Sequence, residues 1–375
     1  MVHAYLVPMA PLFLYALCIR RESFPVGAAM GLLIFTVMFA FSTLPGTSPL
    51  QESIKVVASA VTIFTGALLV RSDRDFRVAV VGLMMAICFL AFRGVAAKHE
   101  HFMGANPLEG ANENAFSLYT LAPLLLAGYT ILDRGTSKFV RVLLIGMSLV
   151  VVLAMFSNAN RSGWLGVGVI GLMLMSAKGQ RVRGMVLLAL MVPVGVFLIF
   201  KYGDVDLIKF RFAETFSGHT TDKERVNLFL ACVQVGLENP ILGVSPQNLK
   251  MHIARIVGED RFYVDPHNVF GYLIGGTGLI VTGALFYVGY ALFRRPKSLP
   301  KKTDDPALLS ALSAHRLMRM MVILWFIRGI FSREILYSPG FCMGLALAIG
   351  LCISRGVWSS AKQNQLPNVV TPRVP

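Results

Sequence analysis

"DPHNVFGYLIGGTGLI", residues 265–280, indicates the fold class of this chain. Polar or helix-opening residues come first, and directly after them the chain becomes apolar and rich in glycine. Such a run is typical of a helix that crosses a membrane, which needs about 20 mostly apolar residues. The stretch therefore predicts a membrane span with a histidine, His267, in the polar segment just before its start.

The composition of the whole chain agrees with this interpretation. Of its 375 residues, 55% are hydrophobic and only 15% are charged, and the mean hydropathy is +0.65. A soluble domain would carry roughly 25% charged residues. The net charge of +15 fits the Lys- and Arg-rich cytoplasmic loops of membrane proteins, so no nucleic-acid partner is expected. We predict an all-α polytopic membrane protein.

Apolar runs bounded by charged residues predict about 11 transmembrane helices within a single membrane domain, residues 1–375. The predicted spans are 3–19, 25–43, 55–70, 78–92, 115–132, 142–157, 162–177, 185–200, 269–293, 320–332 and 340–354. Alternating the loops places 21 basic residues on one side and 6 on the other. Because basic loops stay in the cytoplasm, we expect the chain to start outside and end inside.

Three segments between or after the spans are assigned on this basis. Residues 201–268 are predicted as one long extracytoplasmic loop, residues 294–319 as a cytoplasmic loop, and residues 361–375 as a flexible tail. Within the long loop, apolar residues recur at near-helical spacing; they are Val226, Leu228, Phe229, Leu230, Val233 and Leu237. This pattern predicts an amphipathic helix that lies on the membrane or caps the spans, and that ends before Pro240.

His267 has two interpretations. In the first, Asp265 or Asn268 caps the following helix and His267 has no role of its own. In the second, His267 is a general base, because an imidazole pKa near 6.5 suits proton transfer at neutral pH.

Four arginines are candidate site residues, and the guanidinium fork of Arg161 suits bidentate contact with phosphate oxygens. Arg161 lies in a short outer hairpin, where anchoring to lipid phosphate is the alternative. Arg211 and Arg225 lie in the long loop, where a solvated surface is the alternative. Arg328 lies inside an apolar span, where a charge is costly. It either snorkels to the interface, pairs with Glu334 or faces the same cavity as the other candidates.

Two motifs that resemble metal sites are set aside. Asp204 and Asp206 have the spacing of cytosolic nucleotide-sugar sites but lie outside the membrane in the predicted topology. His99 and His101 lack the third and fourth ligands that a metal site usually needs. No metal and no cofactor is expected.

Four stretches from about residue 110 to 290 together resemble the O-antigen ligase and O-antigen polymerase family. "GANENAFSLYTLAPLLL" is similar to its Asn-x-x-Ala start of a span, although Asn114 has no Ala at that spacing. "SNANRSGWLGVGV" resembles its Ser-x-x-Arg-Gly hairpin, with a serine in place of the glycine. "ERVNLFLACVQVGLENPILGVSPQNL" resembles its Arg-led helix ending in Asn-Pro-x-x-Gly-x-Gly, with Ser245 at the second glycine. "DPHNVFGYLIGGTGLI" resembles its His-Asn stretch.

The resemblance implies a membrane enzyme of the bacterial inner membrane with its active site facing the periplasm. Its donor would be a glycan on undecaprenyl diphosphate, and membrane lipid would surround it. By resemblance, Arg161 and Arg225 hold the diphosphate and His267 takes the acceptor proton. The further substrate-binding candidates are Arg211, Arg328, Asn114 and Asn268, the last of which orients His267 or the sugar. Because arginines supply the charge, no metal is implied.

The resemblance leaves two activities open. A ligase moves the finished glycan onto lipid A core, and this is the preferred interpretation. A polymerase adds repeat units to a growing lipid-linked glycan. A transporter or lipid flippase is the alternative from another class; it predicts ionisable residues deep within several spans, whereas here only Arg328 is of this kind.

Overall fold

The computed structural model describes residues 25–46, 49–100, 113–157, 161–176, 220–258, 266–297, 299–300 and 303–358. Over these residues the chain is helical and contains no strand. The helices are α1 Val26–Thr43, α2 Pro49–Leu69, α3 Asp73–Glu100, α4 Glu113–Leu132, α5 Lys138–Ser157, α6 Arg161–Ser176, α7 Thr220–Glu238, α8 Leu249–Val257, α9 Val269–Phe293, α10 Pro306–Phe331 and α11 Pro339–Ser354. A short 3₁₀ turn, Arg333–Tyr337, joins α10 to α11.

Five of the described helices are long and apolar enough to cross a membrane: α1, most of α2, most of α5, α9 and α10. Helices α4, α6 and α11 contain shorter apolar stretches. These helices are consistent with a polytopic membrane protein. The predicted spans 3–19 and 185–200 lie outside the described residues.

Helix α10 is longer than the span predicted for it. It begins at Pro306 and not near residue 320, so residues 306–319, assigned to a loop from the sequence, are helical. Asp305 caps its start by accepting a hydrogen bond from the N–H of Ala307 at 2.8 Å, and a proline is favoured at the first helical position. The prediction missed these turns because they carry charged residues that end an apolar run.

Helix α9 contains a sharp bend that the sequence did not predict. Gly278 has φ +78° and ψ −178°, which is not helical. The rings of Phe270 and Phe286 stack at 5.6 Å, although a straight helix would separate two residues so far apart in sequence by about 24 Å. Helix α9 is therefore a V of two arms, which we call arm 1 (residues 269–277) and arm 2 (residues 279–293).

The segment that follows α7 fills the bend. The N–H of Leu279 donates to the carbonyl of Pro240 at 2.8 Å, and the N–H of Val244 donates to the carbonyl of Gly275 at 3.1 Å. These bonds satisfy backbone groups that a break in an intramembrane helix leaves unpaired. A Cβ at Gly243 would lie 2.5 Å from the carbonyl carbon of Gly276. The sequence stretch that begins at Glu224 and the one that begins at Asp265 thus pack backbone against backbone.

Helix α7 confirms the helix predicted in the long loop, including its end before Asn239 and Pro240. Its buried face is Ala231, Cys232 and Val235. Three residues of the predicted apolar set are instead exposed; they are Val226, Leu230 and Leu237. Small residues face arm 1 because they allow the two backbones to approach closely.

An ion-pair network closes one end of the bundle, which we call the Arg355 end. Arg355, just after α11, donates to both carboxylate oxygens of Asp73 at 2.9 Å and to the hydroxyl of Tyr129 at 3.0 Å. Tyr129 in turn pairs with the hydroxyl of Ser313 at 2.8 Å. The network joins α3, α4, α10 and α11. The hydrogen bonds from Arg355 lower the pKa of Asp73, although burial opposes the shift.

Candidate active site at the His267 end

The packing of α7 on α9 brings Arg225 and His267 to the same end of the bundle. A Cβ at Gly271 would lie 3.1 Å from Phe229, and one at Gly236 would meet Ile274. The two helices therefore run in the same direction. Arg225 is four residues before Phe229, and His267 is four residues before Gly271, so the packing places both at the same end of the bundle. We call this end the His267 end.

Helices α4 and α6 also run in the same direction. A Cβ at Gly166 would meet Leu121, and one at Gly128 would meet Leu174. The start of α6 at Arg161 and the start of α4 therefore lie at one end. This arrangement places the backbone of two further predicted site residues together.

Arg328 connects these two pairs of helices. Its side chain is only 1% exposed, and its Nη2 donates to the hydroxyl of Ser117, near the start of α4, at 2.9 Å. At the neighbouring Gly329, a Cβ would lie 2.6 Å from Val269, the first residue of α9. The His267 end thus contains the starts of α4, α6, α7 and α9 and the end of α10. Arg328 bonds to Ser117 and does not snorkel to the interface.

The buried guanidinium of Arg328 has hydrogen-bonding capacity left over. Its Nε and Nη1 are buried and have no acceptor among the described residues. Leaving a buried charged donor unsatisfied costs more than leaving a neutral one. An anion with several oxygen atoms would satisfy both groups, so this position fits a phosphate or diphosphate ligand.

Asn268 caps helix α9. Its Oδ1 accepts hydrogen bonds from the N–H groups of Phe270 at 2.8 Å and Gly271 at 3.2 Å. The capping interpretation is therefore confirmed for Asn268. His267 directly precedes the cap, and its side chain is exposed. The cap sets the backbone direction from which the imidazole projects, and the imidazole can meet a ligand that arrives from water.

A cluster beside the cap was not predicted as part of a site. Arg333 lies over the ring of Tyr272 at 5.1 Å, and Lys55 lies over the ring of Tyr337 at 5.6 Å. The two tyrosine hydroxyls lie close enough to interact electrostatically with each other. Lys55 also contacts a carboxylate oxygen of Glu52 at 2.8 Å, and the other oxygen, Oε2, is buried without a partner among the described residues. Burial raises the pKa of Tyr337, which keeps its phenol protonated.

This cluster adjoins a crevice between α2 and the start of α11. The crevice has a volume of about 230 Å³, and Ser59, Thr62, Tyr337 and Met343 line it. At Ser59 and Cys342 it adjoins a narrower apolar pocket of about 70 Å³ that reaches arm 2 and α10. A polar mouth above an apolar interior fits a lipid whose headgroup stays outside.

The remaining predicted site residues have these outcomes. Arg211 lies outside the described residues, and so do the side chains of Asn114 and Arg161. Asp204 and Asp206, set aside above, also lie outside them. Within the described part of the chain, no group of three His, Cys, Asp or Glu residues could hold a metal ion.

The comparison with protein families finds one match. Residues 145–286 match the O-antigen ligase family, which confirms the resemblance for this part of the chain. The match runs from α5 into arm 2 and includes Arg161, Arg225 and His267, but not Asn114 or Arg328. It implies a membrane glycosyltransferase of the O-antigen ligase or polymerase type. The comparison with curated proteins finds no match.

Proposed function

We propose that this chain, with its O-antigen ligase domain, moves a glycan from undecaprenyl diphosphate to a hydroxyl of lipid A core. The reaction would take place at the outer face of the bacterial inner membrane. One observation carries the proposal: the buried Arg328 has two N–H groups without an acceptor among the described residues, and its neighbour Gly329 packs against the start of α9. A cation that needs an anion therefore lies close to the histidine that precedes α9.

The chemistry assigns a role to each group. The acceptor oxygen attacks the anomeric carbon, and the bond from that carbon to the diphosphate oxygen breaks with its electron pair moving to the diphosphate. The proton of the acceptor hydroxyl passes to His267. Negative charge gathers on the leaving diphosphate, where preformed donors in a water-poor site stabilise the transition state most. Arg328 and Arg225 supply such donors, joined by Arg161 and Arg211.

The rest of the His267 end suits the two other parts of a lipid-linked donor. The crevice between α2 and α11 adjoins an apolar pocket that can take carbon chain next to the diphosphate. The half-buried carboxylate of Glu52 and the phenol of Tyr337 offer hydrogen bonds to sugar hydroxyls. Asn268 positions His267 by capping the helix that follows it.

Acceptor dependence tests the proposal. Purified protein in lipid nanodiscs is given an undecaprenyl-diphosphate oligosaccharide with and without lipid A core, and the released lipid diphosphate is measured. We expect release only when lipid A core is present. A lipid-linked chain that lengthens without lipid A core would show a polymerase, whose acceptor is a second donor molecule. Folded protein that releases nothing under either condition would contradict glycosyl transfer.

A further inference from the structure

Three arginines lie together at the opposite end of the bundle from His267. Arg294 and Arg295 directly follow arm 2, and Arg319 on α10 stacks over the ring of Phe293 at 4.3 Å. The guanidinium groups of Arg319 and Arg295 both act electrostatically on the buried His315. The ring of His315 in turn lies 3.2 Å from the carbonyl of Arg294. The guanidinium groups of Arg295 and Arg319 thus lie together around His315, and the guanidinium of the adjacent Arg294 lies over the ring of Tyr290 at 5.9 Å.

Two other arginines at this end have acidic partners, whereas none of these three has one among the described residues. Arg355 pairs with Asp73 at 2.9 Å and Arg77 approaches Asp133 at 3.5 Å. In the described part of the chain, no ion pair reaches the arginine cluster. Arg295 donates through Nε to a backbone carbonyl at 2.9 Å, while its Nη2 is buried and finds no acceptor in the described part of the chain. Like charges held together in this way favour the binding of an anion.

The position of Arg319 along α10 indicates which anion this is. The hydroxyl of Ser313 belongs to the network at the Arg355 end, and Arg319 lies about 9 Å further towards the middle of the bundle. Its side chain is exposed and rests on an aromatic ring. An arginine at this depth reaches the layer of lipid phosphates with its long side chain. A free phosphate ion in water would not reach it as readily.

We propose that Arg294, Arg295 and Arg319 bind the phosphate group of an anionic phospholipid. The site is separate from the proposed glycan transfer and holds whether or not that proposal does. Basic pockets between transmembrane helices recognise lipid headgroups through the same contacts. The stacked ring of Phe293 lies beside the acyl chains, and the two arginines after arm 2 approach the phosphate from the aqueous side.

Lipid binding by the purified full chain tests this proposal. Phosphatidylglycerol is titrated into detergent-solubilised protein, and bound lipid is counted by native mass spectrometry. Changing Arg295 and Arg319 together to glutamine should weaken phosphatidylglycerol binding by about tenfold or more. The matched control is the double variant Arg74→Gln and Arg134→Gln. It removes two exposed cations from the same end of the bundle, away from the cluster, and should keep affinity within about twofold.

Three outcomes would contradict the proposed phospholipid site. Equal weakening in both double variants would show only a general attraction to positive charge. Unchanged affinity in the Arg295 and Arg319 variant would show that the cluster does not bind lipid. Competition by millimolar inorganic phosphate that empties the site would show a ligand from solution. If the double variant fails to fold, the single change of the exposed Arg294 to glutamine is measured, with Arg74→Gln as its control, and the same three outcomes apply.

Discussion

Arg328 shows at the scale of one residue why a buried charge is retained in an apolar helix. Its single acceptor among the residues that the structure describes is the hydroxyl of Ser117, which does not offset the loss of water around a guanidinium. A glutamine would fill much of the same space without the charge. If folding were the only requirement, the buried charge would lower stability and contribute nothing. We therefore expect the charge to act when a ligand is bound.

The change Arg328→Gln should therefore affect turnover more than folding. We expect the rate of diphosphate release to fall by about 10²- to 10³-fold, as when one donor to a developing anion is removed. The thermal midpoint should stay within a few degrees of the wild type. Arg316→Gln removes an exposed arginine from the same helix and serves as the control. A variant at position 328 with normal turnover would show that the buried charge has no part in the reaction.

Asn268 allows the helix cap to be separated from any direct contact with substrate. Asn268→Ala removes the acceptor for two backbone N–H groups, and the free energy of unfolding should fall by about 1 kcal/mol. Asn268→Asp keeps an acceptor oxygen and should retain both stability and activity. The two variants are compared by thermal unfolding and by glycan transfer. Loss of activity in a stable Asn268→Asp variant would instead indicate that the amide N–H group contacts the sugar.

At the scale of elements, the bend in α9 organises the site. Arm 1 carries the His267 cap at one end and packs along α7, while arm 2 continues through the bundle. The bend depends on Gly278, since a left-handed φ is strained for other residues and a Cβ there would come 2.4 Å from the carbonyl oxygen of Ile241. The neighbouring Ser245 also has a positive φ, +75°, at the position where the resembled family has a glycine.

Gly278→Ala should therefore lower stability by at least about 1–2 kcal/mol, the cost of the left-handed conformation alone. The matched control is Gly283→Ala in arm 2, where a Cβ would meet nothing within 4 Å and a helical alanine is favourable. The measurement is the thermal midpoint of each variant in the same nanodiscs. Equal midpoints for the two variants would show that the chain does not depend on this bend.

The sequence predicted the helices better than their packing, for physical reasons. An apolar run must satisfy its backbone internally in lipid, so the ends of α9 and α11 follow from hydropathy. The bend at Gly278 depends on backbone hydrogen bonds with Pro240 and Val244, which belong to a segment far away in sequence. The cluster around Tyr272 and Tyr337 was missed for the same reason: it joins residues of α2, α9 and the 3₁₀ turn. His267 and Arg225 were found because each stands beside a recognisable stretch.

At the scale of the whole molecule, the network at the Arg355 end predicts a dependence of stability on pH. The pKa of Asp73 is below its ordinary value of 3.8, mainly because Arg355 donates hydrogen bonds to it. A carboxyl with a lowered folded pKa stabilises the folded state above its unfolded pKa, and this stabilisation is lost as the pH falls through the folded pKa. The contribution should thus be complete at neutral pH and decline below pH 3.8.

Asp73→Asn should lower the thermal midpoint at pH 7 and flatten its decline in acid. The carboxamide keeps the shape of the side chain but loses the ion pair with Arg355. Asp304→Asn, at an exposed position, is the control and should follow the wild type. The thermal midpoints of the wild type and of both variants are measured from pH 7 to pH 3. An Asp73→Asn variant with the wild-type midpoint throughout would show that the network adds nothing to the stability of the bundle.

The most direct test of the central claim concerns His267 as the base in glycan transfer. Release of undecaprenyl diphosphate is measured with saturating donor and lipid A core for the wild type, for His267→Gln and for His252→Gln, whose histidine lies on α8. Loss of a general base lowers rates by about 10²- to 10⁴-fold. We predict such a loss for His267→Gln in a folded protein and wild-type release for His252→Gln. Release by His267→Gln at the wild-type rate would contradict the account.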